Sequence, residues 1–183
     1  MKFTETSLKG CFIIEPKVIT DQRGYFMESY NSNVFNEGIG QEINFIQDNQ
    51  SFSTKGVLRG LHYQSREHAQ AKLVRVLQGE VLDVAVDIRP GSKTFGKYEA
   101  IVLSAENQKQ FFVPRGFAHG FLVLSKTVTF FYKCDNFYSK ESEGGIIYND
   151  ETLQIDWNFP SQDFVISEKD QNLPTLKNAR KAW

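Results

Sequence analysis

Imidazole chemistry in this 183-residue chain rests on three histidines, His62, His68 and His119. His62 stands in "GVLRGLHYQ", three residues after Arg59 and ten before Lys72, at the head of an apolar run. A histidine so placed can be packing, a metal ligand or a base. Strict two-residue alternation sends Arg59 and His62 to opposite faces, unless Gly60 between them marks a bulge that re-aims one. Cations gathered inside a small β fold are costly unless an anion meets them, and a phosphate-bearing ligand would supply it. His119 lies in "VPRGFAHGF", where a proline and two glycines predict a sharp turn feeding a strand. An apolar-packed imidazole and half of a metal-binding motif are both open there.

Tyr132 and Tyr138 fall in "FFYKCDNFY". They suit a core or an interface, and Tyr132 also suits a general acid if a base faces it across a substrate. Asp170 closes "SEKD", where Ser167-x-x-Asp170 reads as a capping box for a short helix. A carboxylate also orients an imidazole and raises its basicity, and no serine or cysteine is placed as a nucleophile. A His–Asp dyad without a nucleophile suits proton abstraction beside a carbonyl. Metal cupin barrels need a His-x-His pair where this chain has "HYQ", so a metal site is not expected.

Elements that would hold these residues are mostly short and β-like. Runs cover Gly10–Ile19, Gly24–Tyr30, Asn44–Ser53, Leu73–Leu77, Val81–Ile88, Tyr98–Leu103, Gln110–Val113, Gly120–Val123, Thr127–Cys134 and Gly145–Tyr148. Leu82, Val84, Val86 and Ile88 alternate with Asp83, Asp87 and Arg89. Gln78-Gly79 between two runs predicts a tight hairpin. Helix is expected only near Asn31–Glu37 and after Ser167. Many short strands with little helix predict an all-β sandwich or barrel, as one domain over residues 1–183.

A formal charge of −1 excludes a strongly basic nucleic-acid binder, and no run nears the ~20 apolar residues of a membrane span. Cys11 and Cys134, without CxxC spacing, read as free thiols of a reducing cytoplasm. The expected location is cytoplasmic. Aromatic residues make up 14% of the chain and suit half-buried sheet faces and stacking walls.

"DQRGYFMESY", "FIQDNQS", "GVLRGLHYQ", "AQAKLVRVLQGEVLDVAVDIR", "FGKYEAIVLSAEN", "VPRGFAHGFLVL", "FYKCDNFY" and "SEKD" follow one another in order. Over nearly the whole chain this resembles the dTDP-4-dehydrorhamnose 3,5-epimerase family of deoxysugar biosynthesis. The resemblance implies a cupin-type antiparallel jelly-roll barrel with a few short helices. It further implies a homodimer, a dTDP-sugar substrate, and neither metal nor cofactor. By matching motif positions, His62 is the implied base, Asp170 its partner, Lys72 the cation at the sugar carbonyl and Tyr132 the opposite acid. Arg23, Glu28, Gln47, Asn49, Arg59, His119, Tyr138, Glu143 and Lys169 match ligand-contacting positions. Ile19 stands where relatives often carry an aromatic residue, and "NFYSKES" lacks the proline common after that tyrosine. Relatives that epimerise one carbon, ketoisomerases, metal cupins and non-catalytic sugar-nucleotide binders are the competing readings.

Overall fold

Apolar alternation along most strands divides their side chains between two faces, and in the two large sheets both faces find partners. The computed structural model describes residues 1–183. Strands are numbered in chain order. The first sheet runs β1 (Lys2–Glu5), β2 (Phe12–Glu15), β10 (Gln110–Val113), β7 (Lys72–Gln78), β12 (Thr127–Cys134), β5 (Gln47–Thr54). The second runs β13 (Glu143–Gly145), β6 (Val57–Gln64), β11 (Phe117–Val123), β8 (Glu80–Asp87), β9 (Tyr98–Ser104). Beside β6 lies β14 (Val165–Ile166), and β3 (Val18–Asp21) pairs only with β4 (Gly24–Met27). Helices are α1 (Ser32–Ile39) and α2 (Glu168–Gln171).

Inner residues of both sheets meet in one core, with Val74, Phe111, Val128 and Phe130 against Val81, Ala85, Leu103 and Phe121. Outside the first sheet, Phe35 and Ile39 of α1 pack on Leu73 and Phe112. Outside the second, Leu82, Val84, Val86 and Ile88 meet Leu153, Trp157 and Ala182 of the C-terminal region. The apolar row of β8 therefore faces outward under that covering. Its alternate row turns inward, with Asp83 and Asp87 fully buried.

The expected closed, antiparallel jelly-roll barrel is corrected by the pairing. Each sheet is an open path with two edges, and neither closes on itself. Closure would require edge strand β5 to pair across to the second sheet. Instead, β5 pairs only with β12 and turns Asn49 and Ser51 toward a cleft between the sheets. The β14–β6 pair is also parallel. The all-β expectation itself stands. Gly79 makes no hairpin either: β7 bonds β10 and β12, whereas β8 bonds β11 and β9. Gly79 (φ +83°) turns the chain from one sheet to the other, and a Cβ there would lie 2.1 Å from the Thr127 carbonyl oxygen.

The run Gly10–Ile19 is two strands, separated around Pro16, whose ring cannot donate to a ladder. Helix α1 begins at Asn31, whose side chain accepts from the Asn33 and Val34 N–H groups, and ends at left-handed Gly40.

Candidate active site

Strand β6 is where sequence alternation breaks. Its register against β11 slips between His62↔His119 and Arg59↔Phe121. Gly60 sits at the slip with φ +122°, and a Cβ on it would lie 2.6 Å from the Gly120 Cα. Leu58, Leu61 and Tyr63 consequently point to the outer core, and Arg59 and His62 both line the inter-sheet cleft. The Gly60 N–H also donates to Asp170 Oδ2 at 3.2 Å.

Asp170 reaches the site from α2. Ser167 caps the helix by accepting from the Asp170 N–H at 3.1 Å. The reciprocal half of a capping box is missing, because the Asp170 carboxylate is turned to His62 Nε2, 2.7 Å away. Burial works against that carboxylate. The hydrogen bond and charge of His62, with smaller help from Gly60 and Lys169, still hold it below the usual carboxylate range. With Nε2–H donated to Asp170, the lone pair lies on Nδ1. The His62 side chain remains 32% exposed, open to a ligand.

The first sheet supplies the opposite wall. Lys72 starts β7 and Tyr132 is on β12, with the Lys72 ammonium 5.9 Å from the Tyr132 ring centroid. Burial pushes Lys72 down and Tyr132 up from their ordinary values. Asn49 on β5 pairs across from Tyr132, and Arg59 donates from Nε to Ser53 Oγ at 3.1 Å. Behind them His119 is buried, its Nε2 2.9 and 3.0 Å from the two Asp83 carboxylate oxygens. His119 is thus a mid-strand residue of β11 rather than the edge of a turn.

These groups enclose a cleft of about 400 Å³ lined by His62, Asp170, Lys72, Tyr132, Arg59, Asn49, His119 and Lys169. At its rim Lys169 Nζ bonds Glu143 at 2.6 Å, and the Tyr138 hydroxyl reaches the same carboxylate at 3.3 Å. Gln47 Nε2 donates to Asn49 at 3.0 Å. Arg23 and Glu28 are not brought here. Arg23 pairs with Asp21 on the exposed β3–β4 hairpin beside Ile19, and Glu28 accepts from Asn31. Sequence reading missed Asp83 and Ser51, both facing inward. Asp83 shares its face of β8 with Val81 and Ala85, a carboxylate between two apolar residues that face the core.

No three or more His, Cys, Asp or Glu side chains gather in metal-binding geometry. What the cleft holds is an imidazole fixed by a carboxylate on one sheet, opposed by a phenol and an ammonium on the other. Proton removal at one face of a carbon and return at the other is the chemistry that suits this arrangement. An ammonium nearby would steady an oxyanion formed between the steps. Arg59 and Lys169 add charge for an anionic substituent.

A family model described as dTDP-4-dehydrorhamnose 3,5-epimerase matches residues 5–178. The chain is 54% identical over 172 residues to the Shigella flexneri protein of that description, covering 94% of each. Its fold superposes on the crystal structure of the Elizabethkingia anophelis enzyme of the same name with TM-score 0.95. That pair is 58% identical, with 100% of this chain and 99% of that one covered. A Legionella pneumophila 3,5-epimerase in complex with dTDP-4-keto-L-rhamnose gives TM-score 0.93 and 50% identity, over 97% and 93% of the chains.

Proposed function

The chain belongs to the dTDP-4-dehydrorhamnose 3,5-epimerase family, and we propose that the inter-sheet cleft does this work with His62 as base and Tyr132 as acid. Its activity is that of an isomerase, inverting carbons 3 and 5 of a dTDP-4-dehydro-6-deoxyhexose in dTDP-L-rhamnose biosynthesis. The observation carrying the assignment of roles is the 2.7 Å His62–Asp170 contact, set opposite Tyr132 and Lys72.

Hydrogens on carbons 3 and 5 flank the carbon-4 ketone, and their acidity comes from delocalising charge onto its oxygen. Neutral His62, oriented by Asp170, takes such a proton, and the bond electrons move to the oxygen as an enolate. The Lys72 ammonium stabilises that charge where it develops. Tyr132 returns a proton to the other face, and the configuration inverts. Arg59 and Lys169 serve the diphosphate, with Gln47, Asn49, His119, Tyr138 and Glu143 as further contacts to the bound dTDP-sugar. Arg23 and Glu28 reach a nucleotide only if the β3–β4 hairpin serves a second copy. Ile19, Tyr25 and Phe26 stand exposed on that hairpin, an apolar surface suited to pairing. We therefore also propose a homodimer.

The test is incubation with dTDP-4-dehydro-6-deoxy-D-glucose in deuterated water. Inversion at both carbons, each carrying one solvent deuteron, is expected. Product with no solvent deuterium would contradict proton abstraction and return.

A further inference from the structure

Two histidine–carboxylate pairs stand side by side in the cleft, because His62 and His119 are cross-strand partners on β6 and β11. Their carboxylates are held differently. Asp170 receives the Gly60 N–H on Oδ2 and His62 on Oδ1, and the Lys169 charge acts on it as well. Asp83 is fully buried, and both of its oxygens converge on one atom, His119 Nε2. Its neighbours on the same face of β8, Val81 and Ala85, are apolar. Of the charged groups that share the cleft, Arg59, Lys72, Lys169 and Asp170, none forms an ion pair with Asp83. Arg59 is turned to Ser53, Lys169 to Glu143, and Lys72 feels the Asp83 charge only through space.

An ionised carboxylate so placed is costly unless its one partner carries the opposite charge. Two arrangements leave the pair without net charge: a carboxylate with an imidazolium, or a carboxylic acid donating to a neutral ring. In both, Nδ1 carries a proton. A carboxylate beside a neutral ring with bare Nδ1 would bury a net charge. His119 Nδ1 has no partner in the chain and is not sealed off, since Ser51 Oγ is the one buried side-chain polar atom left unpaired. It opens on the cleft that His119 lines, with the ring stacked on Phe130 at 6.3 Å between centroids. We propose that Asp83 is a positioning residue that makes His119 a hydrogen-bond donor to a diphosphate oxygen of the bound dTDP-sugar. Asp170, already satisfied by the Gly60 N–H, leaves His62 Nδ1 bare. Adjacent pairs of the same two residue types thus serve opposite ends, one accepting a proton and the other only offering a hydrogen bond. This inference rests on the reading that a dTDP-sugar fills the cleft.

With three histidines in the chain, nitrogen-15 NMR of histidine-labelled protein reads each ring directly, and His119→Gln assigns the signal. At neutral pH His119 should show a protonated Nδ1, and saturating dTDP should shift it. A bare Nδ1 on His119 overturns the proposal. If dTDP shifts His62 and leaves His119 unmoved, only this inference fails; if it shifts neither, binding in the cleft fails with it. Asp83→Val removes the partner, and dTDP affinity should fall at least about tenfold, the scale of one hydrogen bond to a charged group. A folded Asp83→Val protein with native affinity overturns the proposal. Asp83→Asn can donate a carboxamide N–H to Nε2 and keep the proton on Nδ1, so it should restore most of the affinity. If Asp83→Val does not fold, Asp83→Asn still decides. Its Nδ1 proton and its dTDP affinity are expected to be kept or lost together, and either one without the other overturns the proposal.

Discussion

His62 and Asp170, 108 positions apart in sequence, meet at 2.7 Å, a contact that orients the imidazole for the proposed role of base. Because the folded protein holds the Asp170 carboxylate below its ordinary range, the stabilisation it gives is present above that range. It is lost as pH falls through the folded value. Asp170→Asn should therefore be less stable than the native protein at neutral pH, with the gap closing in acid; denaturant titrations across pH measure this. Activity of Asp170→Asn should fall at least ~100-fold, the scale of general-base loss. On the alkaline side, burial lowers Lys72 and raises Tyr132, and the roles proposed for them require both to be protonated. Loss of the Lys72 proton, eased by burial, is expected to shape the basic limb of the rate profile. Lys72→Arg, always charged, should move that limb to higher pH in a kcat titration; an unmoved limb would assign it to another group. His62, Asp170, Lys72 and Tyr132, which the fold gathers in one cleft, were singled out through the resemblance, whose motifs are local and ordered. Asp83 escaped because its partner His119 is defined by strand pairing, which spacing alone does not give.

At the level of elements, the slip in β6 does two things at once: it turns Arg59 and His62 to one face and offers the Gly60 N–H to Asp170. Gly60→Ala, forced into φ +122° and against the Gly120 backbone, should cost on the order of 2 kcal/mol or more, read by thermal unfolding. The N-cap of α2 is a second lever. Ser167→Ala should cost about 1 kcal/mol and slow turnover by loosening Asp170, whereas Ser167→Thr, which keeps the hydroxyl, should restore both. The glycine at position 60 announced a bulge from sequence, because only a break in alternation reconciles Arg59 with His62. Gly79 misled, since a turn residue between two strands says nothing about whether they share a sheet. Open edges were illegible for the same reason: closure depends on which strands pair at long range, and the local pattern is identical in a sandwich and a barrel.

Across the whole molecule, two open sheets hold His62 and Tyr132, the proposed base and acid, on opposing walls of one cleft, over a shared core. The projecting β3–β4 hairpin, with Phe26 70% and Tyr25 59% exposed, gives the pairing proposal its clearest variant. Light scattering should return a dimer mass for the native protein and a shift toward monomer for a Tyr25→Ser, Phe26→Ser double variant. A native monomer would count against pairing. The opposed walls themselves are tested most directly by deuterium exchange in Tyr132→Phe, which keeps the ring and removes only the donor hydroxyl. With His62 intact the enolate still forms. Solvent deuterium should therefore wash into recovered substrate while inverted product falls steeply, and His62→Ala should abolish both. Loss of exchange and inversion together in Tyr132→Phe, or inversion at the native rate, would contradict the division of base and acid between the two sheets.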